Sequence, residues 1–198
     1  MANTAAYNGF QQYSGTGSAP TYEQVAVQIA YNASAIFYGD PVNPDANGNV
    51  VVGVTTGASA NTQIAGVFVG CQYLSVSQKR TVWSNYWPGS DVAATNYVTG
   101  YIVNDPNAKF LAQVGATGLV VADVNSNIDY TIGSGNTMSG ISAAFLDQGS
   151  LATTSTLPFR VVGLVTEPPG APGTAAGAYN YAIVSFNSVS TKALTSVG

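Results

Sequence analysis

The chain has 198 residues, enough for one sizeable core, and pairs 46% hydrophobic residues with only 7% charged ones, where an average soluble protein is charged at about a quarter of its positions. Disorder requires the opposite combination, so most of the sequence is expected to fold behind a neutral surface of Ser, Thr, Asn, Gln, Gly, Ala and Tyr, which suits a protein held against partners. The net charge is −4, and the five basic residues Lys79, Arg80, Lys109, Arg160 and Lys192 form no phosphate-binding stripe, which disfavours nucleic acid.

The first twenty residues, MANTAAYNGFQQYSGTGSAP, mix Gly, Ser and Gln with isolated aromatics at Tyr7, Phe10 and Tyr13 and show no periodicity. They read as an extended N-terminal arm, residues 1–20, whose rings insert into grooves of a neighbouring subunit. On that reading, deleting Met1 to Pro20 leaves the body folded but sharply reduces its attachment. The same stretch lacks the basic start and apolar middle of a secretory signal, and no apolar run reaches the ~18 residues of a membrane span, so synthesis in a host cytoplasm is expected.

From Glu23 onward, Val25, Val27 and Ile29 alternate with Gln24, Ala26 and Gln28, the period-two signal of a half-buried strand. An apolar run from Ala35 to Tyr38 follows. In GDPVNPDANGNVVVGVT, Asn47-Gly48 marks a turn before a strand over Val50 to Thr55. The oxygen-bearing residues Asp40, Asn43, Asp45, Asn47 and Asn49 raise a calcium loop, but the order of a calcium-binding loop is not met, and turn chemistry is the preferred reading.

Further strands are expected over Gln63 to Tyr73, Thr81 to Trp83, Tyr97 to Val103, Lys109 to Val114, Gly140 to Leu146, Leu157 to Val165 and Ala178 to Phe186. Only Leu119 to Val124 reads as a helical turn. TEPPGAPGTAAGAY is a surface loop, and residues 188–198 form a tail. The predicted class is all-β, a jelly-roll-like sandwich or barrel with an extended arm and little helix, built as one β domain over residues 21–187.

Chemistry is sparse. With no histidine, the commonest general base and metal ligand is missing. Cys71 is the sole cysteine; it reads as a small buried apolar residue and cannot form an intrachain disulfide or a cysteine cluster. Most of the nine acids lie in turn contexts such as Asp40-Pro41 and Asp105-Pro106, and no pair is seen to converge. The reading is a non-enzyme without a cofactor or metal. The densest aromatic cluster, VWSNYWPG, carries Trp83, Tyr86 and Trp87 as candidates for anchoring a protein interface or stacking on sugars, against the alternative of packing at a strand end.

The block GVFVGCQYLSVSQKRTVWSNYWPG, followed by YIVNDPNAKF and LPFRVVGLV, resembles small virion proteins of tailed bacteriophages known as head decoration, or cement, proteins. The likeness spans roughly Gly66 to Val165 and carries over no functional residue. It implies a homodimer or homotrimer on the outer surface of the capsid, bridging copies of the major capsid protein. Tail proteins and surface carbohydrate-binding β modules share this charge-poor composition and form the alternative.

Overall fold

The computed structural model describes residues 2–14, 24–54 and 63–190. Within them the strands are β1 (Gln11–Ser14), β2 (Gln24–Ile29), β3 (Pro41–Pro44), β4 (Val50–Val52), β5 (Gly66–Ser75), β6 (Arg80–Ser84), β7 (Val98–Val103), β8 (Lys109–Gln113), β9 (Asn127–Thr131), β10 (Phe145–Ala152), β11 (Phe159–Leu164) and β12 (Tyr181–Phe186). The expected helical turn is a short 3-10 segment, Val121–Asp123. The chain is all-β, a sandwich of two antiparallel sheets. The first sheet runs β1-β8-β12-β11-β9-β10; the second runs β2-β7-β5-β3-β4, with β6 pairing the far half of β5. The first sheet curls until β8 and β10 meet through a parallel bridge between Val114 and Leu146.

Two apolar clusters result. One gathers Phe110, Ile128, Leu146, Phe159 and Val184 from the first sheet against Val67 and Val103 of the second. The other packs Ile29, Phe68, Cys71, Val98 and Ile102 beneath a cover supplied by Ile36 and Trp87. The apolar run Ala35 to Tyr38 lies outside the regular strands. It makes two isolated bridges, Ile36 with Trp87 and Tyr38 with Ile141, and serves as a lid.

The arm is corrected by the structure. Residues 2–14 are extended, but they lie on the chain's own body rather than in a neighbour's groove. β1 pairs with β8, and Phe10 is 1% exposed, stacked on Phe159 at 4.5 Å and edge-on to Tyr130. Tyr7 stacks on Phe145 at 4.2 Å. The Asn3 side chain donates to Ala175 O and Ala178 O, while Gln113 donates to Thr4 O and accepts from Ala6 N–H. An apolar ring with a core cavity available in its own chain has no reason to wait for a partner. Gly9 and Gly39 make the close approach possible: a Cβ on Gly9, at φ +70°, would stand 2.9 Å from Gly39 O, where Phe10 N–H now bonds at 2.9 Å. The rest of the expected arm, Met1 and residues 15–20, lies outside the described residues, as do Glu23 and Thr55.

The expected tail is divided in the same way. Val189 is buried and bridges Ile64, so residues 188–190 belong to the body, and residues 191–198 lie outside the described residues. Three strands escaped the sequence reading. β1 is polar and short; β3 begins and ends with proline; β9, NIDYT, carries Asn and Asp that read as turn residues. In β9 the Asn127 side chain donates to Thr154 O and the Asp129 carboxylate accepts from Tyr130 N–H, so the polar groups are satisfied inside the fold. The predicted strand Gly140 to Leu146 instead starts at Phe145, because Ser142 is drawn toward Asp40.

Candidate functional site

In an antiparallel sheet, directly opposed residues share a face, so the register assigns every side chain of the second sheet. Val25, Val27 and Ile29 oppose Ile102, Gly100 and Val98, which in turn oppose Phe68, Cys71 or their neighbours. That is the face closed by Trp87. On the other face, Gln24 opposes Val103, Ala26 opposes Tyr101 and Gln28 opposes Thr99. Gly70 and Gln72 continue the rows onto β5, and Gln72 opposes Trp83 of β6.

This second face changes character along its length. At Val67 and Val103 it is sealed against the first sheet. Farther along, at Tyr101, Gln72, Thr99 and Trp83, the first sheet no longer covers it. Among the described residues the result is a shelf of aromatic, aliphatic and neutral polar side chains. Trp83 is 67% exposed yet lies parallel to Tyr101, with ring centroids 5.8 Å apart and planes 12° from parallel. The Tyr101 hydroxyl donates to Gln72 Oε1 at 3.4 Å. An open cleft of about 510 Å³ sits beside the pair, lined by Gln24, Val69, Gly70, Cys71, Ser84 and Asn85 together with the two rings.

The three rings of VWSNYWPG are thus separated. Only Trp83 faces outward. Trp87 is fully buried, edge-on to Tyr73 at 5.2 Å, and its indole N–H donates to Ala33 O at 3.2 Å, which removes it from any partner-binding role. Tyr86 is half-buried and stacks on Phe37 at 5.3 Å. Of the N-terminal aromatics, Phe10 is core and Tyr7 is half-buried against Phe145. Tyr13 remains 57% exposed on β1, the strand that ends the first sheet. Tyr101 and Gln72 escaped the sequence reading. The alternation of Thr99 and Tyr101 with Val98, Gly100 and Ile102 carries the signal that sets Tyr101 on the polar face.

The electrostatics belong to the fold rather than to the shelf. Burial pushes the Asp40 carboxyl up to about 6, only partly opposed by bonds from the Ser142 hydroxyl and from Phe37 N–H at 2.7 Å. Burial likewise pushes the Cys71 thiol up to about 12, and its Sγ donates to Tyr86 O, in keeping with a small buried core residue. In the candidate calcium loop, the Asp45 carboxylate accepts from Asn47 N–H at 2.9 Å and Asn49 N–H at 2.7 Å, which is turn chemistry. Asp40 is buried and directed to Ser142 instead. Comparison with protein-family models, with curated proteins and with solved structures finds no match to this chain.

Proposed function

We propose that the chain is a virion structural protein, a decoration protein that binds the outside of a tailed-bacteriophage head and stabilises the lattice of the major capsid protein, with further copies of itself as its other partner. The observation that carries this reading is β1, the strand that ends the first sheet among the described residues. β1 reads QQYS, has no charged residue, pairs among the described strands with β8 alone and presents Tyr13 to solvent. Proteins that live as free monomers guard such an edge with lysine, proline or a covering element. An edge strand without lysine or proline and with an exposed tyrosine suits strand addition by a neighbouring subunit, with main-chain bonds supplying affinity and the ring supplying register. The charge-poor surface and the resemblance of the Gly66 to Val165 blocks support the same reading.

The mechanism is linkage. A module that binds the assembled shell, and not its dissociated subunits, lowers the free energy of the shell, and many equivalent sites multiply a small term. The protein acts by occupancy and turns over no substrate. Electron microscopy of the native particle tests the assignment, with density for the chain expected on the outer face of the head; density on the tail, or none, ends it. Substituting Tyr13→Lys and Gln11→Lys together is expected to weaken attachment by about tenfold or more while leaving the thermal midpoint of the free chain nearly unchanged, since both side chains are exposed. Full occupancy by that variant would remove the β1 edge from the interface.

A further inference from the structure

We propose that the cleft beside Trp83 and Tyr101 is a binding site for a neutral saccharide. The inference stands whether or not the chain sits on a virion, because it uses a different surface from the β1 edge.

A pyranose has an apolar face of C–H groups and a rim of hydroxyls that each donate and accept. The cleft matches both halves. One face of the Trp83 indole is taken by Tyr101, and the ring is otherwise open to solvent, a flat apolar platform for the C–H face. Around it, Gln24 and Asn85 offer amides and Ser84 a hydroxyl, side chains that can both donate to and accept from sugar hydroxyls. Among the described lining residues none carries a charge, which favours a neutral ligand over an ionic one. A purely aliphatic ligand would leave the amides without partners.

The site is also held in place before any ligand arrives. Trp83 is fixed by its stack on Tyr101, Tyr101 by its bond to Gln72, and Asn85 by donation from Nδ2 to Ser139 O at 2.7 Å. Rings and amides already ordered in this way lose little freedom on binding. The floor is kept clear by Gly70, at the bulge where β5 shifts register against β7. Its φ is +151°, and a Cβ there would stand 3.0 Å from Ser84 O. The cleft volume of about 510 Å³ falls within the ~300–1,000 Å³ of ordinary ligand sites.

The test titrates the purified full chain with short gluco-, galacto- and chito-oligosaccharides and with a sialylated oligosaccharide, read by tryptophan fluorescence and by calorimetry. At least one neutral series is expected to bind and to shift the emission of the exposed indole. Trp83→Ala is expected to bind that series about tenfold more weakly, equivalent to about 1.4 kcal/mol, with an unchanged thermal midpoint, and Trp83→Phe to retain most of the affinity. The proposal is overturned if no neutral series binds, if Trp83→Ala binds as well as the parent chain, or if only the sialylated ligand binds. It is equally overturned if Trp83→Ala loses attachment to the particle while no oligosaccharide binds, for the shelf is then a protein-docking surface.

Discussion

Replacing Phe10 with alanine is expected to lower the stability of the chain by about 3–5 kcal/mol, the usual loss when a large aromatic leaves a packed core. The ring stacks on Phe159, with Tyr130 edge-on and Phe110 and Phe186 in the same group of rings around Phe159. Its removal empties a ring-sized space whose walls belong to β9 and β11, strands already fixed by pairing on both sides, so collapse into the void is limited. A domain of this size is stable by only ~5–15 kcal/mol, so the change is a large share of the whole. Removing residues 2–14 should do more. It strips β1 from the first sheet and takes away the partners of Gln113, leaving that buried amide with only Tyr179 O. Urea unfolding of both variants is the measurement, and a truncated chain with the parent midpoint would show that the segment is an appendage after all. The contrast with the β1 lysine variant is the useful part: Phe10 reports on folding, Tyr13 on attachment.

The second large effect is a pH dependence centred on Asp40. Its carboxyl holds its proton to about 6 in the folded chain, against 3.8 for a freely solvated aspartate, because burial penalises the charged form more than the bonds from Ser142 and Phe37 support it. Between those two values the folded state binds more protons than the unfolded one. The stability contributed by this group is therefore fully present below about pH 4 and is lost as the pH rises through 6, a difference of about 3 kcal/mol for a shift of about two units. Asp45 and Asp91, whose carboxyls are held low by hydrogen bonds, act with the opposite sign, so the whole-protein profile mixes the contributions. Asp40→Asn separates them. The variant keeps a neutral side chain of the same shape, and the stability difference between variant and parent should grow in the variant's favour from pH 4 to pH 7 by about 3 kcal/mol. A difference that stays constant over that range would mean that the carboxylate is ionised in the fold without penalty.

Asp40 also illustrates why the sequence under-reported the fold. Asp-Pro beside Asn-Gly reads as turn chemistry, and at Asp45 that reading holds, since its carboxylate closes the turn onto Asn47 and Asn49. Asp40 uses the same residue type for a different task. It joins Phe37 to Ser142, more than a hundred positions away, beside the point where Gly39 receives the N-terminal segment. A side chain's partner at that separation is set by the sheet topology, which leaves no trace in local composition. The same holds for Asn180, whose side chain pairs with both Leu119 N–H and Leu119 O, and for the polar residues of β9.

Alternation and turn residues, legible in the chain, determined the all-β class, the location of most strands, the 3-10 turn and the burial of Cys71, because a period of two and the needs of a tight turn are local properties of the backbone. The same signals separated Val25, Val27 and Ile29 from their polar neighbours. What only the tertiary structure decided was which face of each strand a distant element would cover. The bulge at Phe68 and Gly70 inserts one residue into β5, so Cys71 and Tyr73 point away from the face that Val67 shares with Val103. Strict alternation would have put all three on one side. For the same reason Phe10 is core, Trp87 is a lid and Trp83 is exposed: ring type and spacing say that an aromatic seeks cover, and only the packing of the two sheets determines where cover ends.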